Sequence, residues 1–117
     1  MDKKIIQFVF GVLNQVKLYH WATRGYSVHK ALDDLHTNLS KNIDKLVEAY
    51  LGTDRPVGKF SVSTSSDSNA GHIADFLKEA RRGFQKMRVS LKQSQLQNIV
   101  DEITADIDQT LYLLRLS

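Results

Sequence analysis

The chain has 117 residues, a net charge of +3 at pH 7 and no cysteine, which suffices for one modest hydrophobic core and rules out a disulfide framework or a thiolate metal site. Apolar residues make up 42% and charged residues 25%, ordinary usage for a soluble globular protein. The basic residues are spread out, their densest groups at the start and over Lys78–Arg88. No basic stripe marks a dedicated nucleic-acid binder; the group at 78–88 reads as a solvated helix face, and the chain as making weak or no contact with nucleic acid.

The first apolar run, Ile5 to Val16, is interrupted by Gln7, Gly11, Asn14 and Gln15. It is too short to span a bilayer and no cleavage-site pattern follows it, so the expectation is a cytoplasmic chain with no membrane association. Ile5, Val9, Val12, Val16 and Tyr19 follow the i, i+3, i+4, i+7 rule of an amphipathic helix, here about 3–24. Gly25 breaks the pattern and Ser27 is a candidate N-cap. Leu32, Leu35, Leu39, Ile43, Leu46 and Tyr50 carry a second helix over about 28–51, with Gly52 as its terminating glycine.

Residues 53–68 are rich in Gly, Ser, Thr and Asp and hold Pro56, the only proline. So long a structureless segment needs a reason. The second helix is roughly 36 Å long at about 1.5 Å per residue, and an extended segment of this length reaches roughly 50 Å. The loop can therefore carry the chain back along the helices, with Phe60 and Val62 to pin it, so that the third helix runs parallel to the second. That helix covers about 69–89 (Ile73, Phe76, Leu77, Ala80, Phe84, Met87), and Gly83 in its interior reads either as a close approach to a neighbour or as a tolerated weak spot. The fourth covers about 95–116 and opens on Ser94-Gln95-Leu96-Gln97, a capping-box pattern. The expectation is one all-α domain over 1–117: a four-helix bundle with a long crossover between helices 2 and 3.

Polar residues that carry chemistry gather on the second helix. His29, Asp33, His36, Ser40, Asp44 and Glu48 recur at steps of three and four and form a stripe along one side. Imidazole and carboxylate together suit iron, zinc or manganese, although a wet, unliganded face is the commoner meaning of such a stripe. At about 100° per residue, His29 and His36 fall at the edge of the core face, whereas Asp44 and Glu48 point away from it. Glu102 and Asp106 lie at the core edge of the fourth helix, but no Glu-x-x-His motif accompanies them, which argues against a metal site inside the bundle. His20 reads equally as a ligand or as a core-edge histidine bonded to a carbonyl. Tyr19 and Trp21 read as core or interface aromatics, and His72 as solvent-facing.

His20-Trp21, Arg24-Gly25, His29 with Asp33 one turn on, and Asp44-Lys-Leu-Val-Glu48 together resemble the Dps-like branch of the ferritin-like superfamily over residues 15–52. The turn between His20 and His29 is about three residues shorter than that family's pattern, no Lys-rich tail precedes the first helix, and the crossover shows no clear short helix. The resemblance implies an oligomer, a dimer at least, that binds iron and can oxidise it. It implies a metal site shared between subunits, with His20, His29 and Asp33 of one facing Asp44 and Glu48 of the other. The alternative is a non-enzymatic helical oligomer that binds a partner or sequesters a small ligand through Arg81, Arg82 and Lys86 or through the loop at 53–68.

Overall fold

The computed structural model describes residues 2–55 and 58–117, and those residues form four α-helices: α1 (Asp2–Ala22), α2 (Tyr26–Leu51), α3 (Ala70–Ser90) and α4 (Ser94–Arg115). The architecture is the expected all-α four-helix bundle with a long crossover between α2 and α3. The stripes named above converge on a common core, in which Val16, Leu32, Leu39, Ile73, Leu77, Phe84, Val100, Ile103 and Ile107 are fully enclosed. Each such side chain contributes about 1.5–3 kcal/mol by leaving water.

The crossover runs beside α1 and in the same direction. Gln7 Nε2 donates to the Ser61 carbonyl (2.6 Å), Gln15 exchanges two 2.8 Å bonds with the main chain of Ser65, and Ser68 Oγ donates to the carbonyl of Ala22. Val62 packs over Gly11, while Phe60 makes only an edge contact with the exposed Phe10. Pro56 lies outside the described residues. The crossover delivers α3 to the end of the bundle where α2 begins, so α2 and α3 run parallel, and α4 returns antiparallel to both. Asn42–Asp106 and Ser27–Ser117 contacts mark the α2–α4 seam, and Phe8–Phe84 and Tyr19–Phe76 edge-on ring pairs bridge α1 and α3. At Gly83 the close approach is the reading that holds: a methyl group there would overlap the Phe8 ring.

Gln15 is 4% exposed, and its amide satisfies both the N–H and the C=O of Ser65. Gln15→Ala leaves both groups without a partner in a half-covered seam, at a cost of about 1–3 kcal/mol. The expected readout is a matching drop in denaturant midpoint, with faster amide exchange and proteolysis confined to 58–68.

Two helix starts differ from expectation. Gly25, not Ser27, is the N-cap of α2; Ser27 lies inside the first turn, and its hydroxyl donates to Ser117 Oγ instead. The residues Ser94–Gln97 do not form a capping box. Helix α4 starts one residue earlier, from Gln93, and Gln97 Nε2 donates to the Leu91 carbonyl at 2.7 Å, closing the α3–α4 turn rather than the helix N-terminus. Asn69 does act as a side-chain cap, its Oδ1 accepting from Gly71 N–H, and Gly52 ends α2 at φ +60° with its N–H on the Glu48 carbonyl.

Candidate functional site: a histidine clasp at the α1–α2 turn

Helix α1 ends at Ala22 and α2 begins at Tyr26, so the last turn of one lies against the first turn of the other. The main-chain carbonyls at a helix C-terminus lack intrahelical donors. His29 supplies one: its Nδ1 lies 2.8 Å from the His20 carbonyl oxygen. His20 answers in kind, with Nδ1 2.9 Å from the carbonyl oxygen of His29. The two rings stack at a centroid separation of 3.9 Å and an interplanar angle of 22°.

This reciprocal clasp fixes the chemistry of both rings. A carbonyl oxygen only accepts, so each Nδ1 carries the proton, and in the neutral imidazole each Nε2 is left as a free lone pair. His20, buried at 8% exposure, presents Nε2 at 3.8 Å from Asp33 Oδ1. That is too long for a hydrogen bond, and it sets an imidazole lone pair and a carboxylate oxygen side by side. His20 is thus a core-edge histidine bonded to a carbonyl, with its Nε2 outside that bond.

His36 lies one turn beyond Asp33 on α2. Burial, the Lys17 ammonium and His20 push its pKa below the ordinary value, with Asp33 opposing them, which keeps its ring neutral near pH 7. Two large aromatics flank the clasp in the open: Trp21 at 68% exposure, with Lys17 Nζ 5.8 Å above its ring, and Tyr26 at 78%, tilted toward His29. Trp21 is therefore not a core residue, whereas Tyr19 is. His72 is solvent-facing, with its Nδ1 2.6 Å from Asp67.

The structure brings together His20, His29 and Asp33 and keeps Asp44 and Glu48 apart from them. Both carboxylates are exposed, on α2 about 16 and 22 Å beyond Asp33 at about 1.5 Å per residue. Neither forms an ion pair among the described residues. Among the described residues no group of three or more His, Asp or Glu side chains of one chain is placed to hold a metal ion. A closed coordination sphere from these five residues would need a second copy.

The basic group on α3 is the expected solvated face, with its guanidiniums paired. Arg81 makes a two-pronged pair with Asp108 (2.6 and 3.1 Å), Arg88 a similar one with Asp101 (2.7 and 3.2 Å), and Arg82 pairs with Glu79. These guanidiniums tie α3 to α4 and to itself, which removes Arg81 and Arg82 as free donors for an anionic partner.

A feature that the sequence reading passed over lies in the α2–α4 seam. Asn42 is 6% exposed, and its Nδ2 donates to Asp106 Oδ2 at 3.3 Å. Its signal was present: Leu35, Leu39, Asn42 and Leu46 follow core spacing. Desolvation and the neighbouring Glu102 raise the Asp106 pKa, with the Asn42 bond partly offsetting them. A raised carboxyl pKa means that the folded state disfavours the ionised form. The penalty is fully present above the folded-state pKa and vanishes as pH falls below the ordinary value near 3.8. Asp106→Asn is accordingly expected to stabilise the protein at pH 7, with the gain shrinking toward zero in urea titrations carried down to pH 3.

No helix of the described residues is long and apolar enough to cross a membrane. The chain is similar to the DNA protection during starvation protein 2 of Bacillus anthracis, at 27% identity over 100 residues, which covers 76% of this chain and 68% of that protein. No solved structure matches it. A family model does match, from His20 at the clasp to Leu114 near the end of α4, and the chain belongs to that family, described as a family of unknown function (DUF5856).

Proposed function

We propose that this protein is a cytoplasmic, ferritin-like, Dps-like oligomer that takes Fe(II) as its substrate at a two-fold subunit interface. His20, His29 and Asp33 of one subunit would face Asp44 and Glu48 of another. The observation that carries this reading is the clasp: two imidazoles locked in the Nδ1–H tautomer by main-chain carbonyls, with both Nε2 lone pairs free and Asp33 alongside. Metal-binding histidines are oriented in this way by a hydrogen bond from the other ring nitrogen. The exposed Trp21 and Tyr26 beside the clasp support an intersubunit location, since exposed aromatics of this size mark contact surfaces. The similarity to a DNA protection during starvation protein supports the same family of chemistry.

Mixed nitrogen and oxygen donors suit Fe(II), with zinc and manganese as competitors. Two Fe(II) ions each give up one electron to hydrogen peroxide, which takes two protons and leaves as two waters; dioxygen is the alternative oxidant. Contact with DNA is expected to be weak or absent, because the net charge is only +3 and Arg81, Arg82 and Arg88 are already paired.

The decisive experiment combines native mass spectrometry and elemental analysis of freshly purified protein with anaerobic Fe(II) titration. A dimer or a multiple of it that binds Fe(II) supports the proposal. A metal-free protein that binds neither Fe(II) nor Zn(II) overturns it, and an oligomer of that kind would be a partner-binding scaffold instead.

A further inference from the structure

Between α3 and α4, beginning at Ala70 where the crossover hands over to α3, lies a cavity of 440 Å³, within the roughly 300–1,000 Å³ of small-molecule sites. Its depth has a simple cause. Ala70 and Ala74 stand one turn apart on α3, facing Leu111, Tyr112 and Leu114 on α4, so two small side chains oppose a wall of large ones. From Ala70 to Lys78 the groove is about 12 Å long at about 1.5 Å per residue.

Its charges are unbalanced. Asp108 lines the groove, but both its oxygens are taken by Arg81. Lys78 and Arg115 also line it, and neither has a carboxylate partner among the described residues. The Arg115 guanidinium lies 5.7 Å over the Tyr112 ring, a cation–π contact that keeps the charge against the apolar wall. The N-terminus of α3, at Ala70, adds a positive partial charge. The other cavities lack this combination. In the one between α1, α3 and the crossover, Glu79 is paired with Arg82 and Gln7 with Ser61, and the hollows along α2 and α4 are lined mainly by polar side chains.

We propose that the groove floored by Ala70, Ala74, Leu111 and Leu114 and flanked by Lys78 and Arg115 binds a small carboxylic acid with an apolar body. The hydrocarbon replaces water along the apolar floor, and the carboxylate supplies the counter-charge that the two cations lack. A neutral lipid would leave the cations uncompensated, and an amine would be repelled. This site is independent of the metal chemistry proposed at the clasp.

The test is calorimetric titration of the full chain with decanoate, decanol and decylamine. Decanoate is expected to bind one per chain with a Kd of about 1 mM or tighter, and the other two at least about tenfold more weakly. Arg115→Gln should weaken decanoate by about tenfold. Ala74→Leu, which fills the groove, should abolish binding while leaving the thermal midpoint in place; if that variant does not fold, Ala70→Leu serves the same purpose at an exposed position. No decanoate binding to the wild-type chain, equal binding of decylamine, or undiminished binding to the filled variant overturns the proposal. So does a change in native mass on filling the groove, which would make it a contact between copies.

Discussion

Phe84→Ala is expected to lower the stability of the folded chain by about 3–5 kcal/mol. Phe84 is 0% exposed and heads the fully buried side chains by volume. It stands edge-on to Phe8 at 5.0 Å and 64°, and it lies next to Gly83, over which the Phe8 ring passes. The contact between α1 and α3 is carried largely by such ring pairs, since the crossover occupies the outer part of their seam. Truncation therefore removes both the transferred surface and the edge-on pairing, and the chain around Gly83 is already too close to move inward and fill the void. The loss should appear as a thermal midpoint about 15 °C lower and as a lower urea midpoint at unchanged slope. Phe84→Leu, which retains most of the volume, should cost less than half as much. Equal losses for the two variants would mean that the ring is not the element joining α1 to α3.

The proposed interface site makes a second prediction with a quantitative signature. His29→Ala and Asp44→Ala should each reduce Fe(II) affinity by more than about 100-fold, because each removes a donor from every site of an isologous interface. The two substitutions lie in different halves of the site. Mixing equal amounts of the two variants under subunit exchange would make half of the dimers mixed, and each mixed dimer would hold one intact site and one doubly damaged site. About one quarter of the wild-type Fe(II) stoichiometry should therefore return. No single-chain site can show such recovery. If the mixture binds no more than the separate variants, Asp44 and His29 do not meet across an interface.

How much of this was legible in the sequence depends on the range of the interaction. The helices and their core faces follow from periodicity, because one side of each helix must leave water whatever its neighbours are. The direction of α3 follows from the reach of residues 53–68. Helix caps were read less well. Ser27 and Ser94 have the right chemistry, but the three-residue turns start each helix earlier, the Ser27 hydroxyl goes to Ser117 and the Gln97 amide to the Leu91 carbonyl. The clasp was legible only as three residue names. That His20 and His29 would exchange bonds with each other's carbonyls depends on where α1 runs out of hydrogen bonds, which is set to within one residue by the turn at 23–25. The spacing of Asn42 places it in the core stripe, but the partner that makes a buried amide tolerable there, Asp106, lies on another helix and is not legible in local sequence.

The crossover has a kinetic consequence. It separates two helical hairpins, α1–α2 and α3–α4, each closed by a short turn, while the α2–α4 seam joins residues as far apart as Ser27 and Ser117. Hairpins close quickly because their ends are near in sequence; the seam must wait for the longer loop. What holds the crossover down is a few side-chain bonds from Gln7, Gln15 and Ser68, so the crossover can lift at little enthalpic cost, and a hairpin that has not yet docked can form the same core with the complementary hairpin of another molecule. At low concentration the intramolecular partner wins, its effective concentration being set by the tether. As chains crowd together during refolding, exchange of hairpins competes with it, and the crossover becomes the hinge.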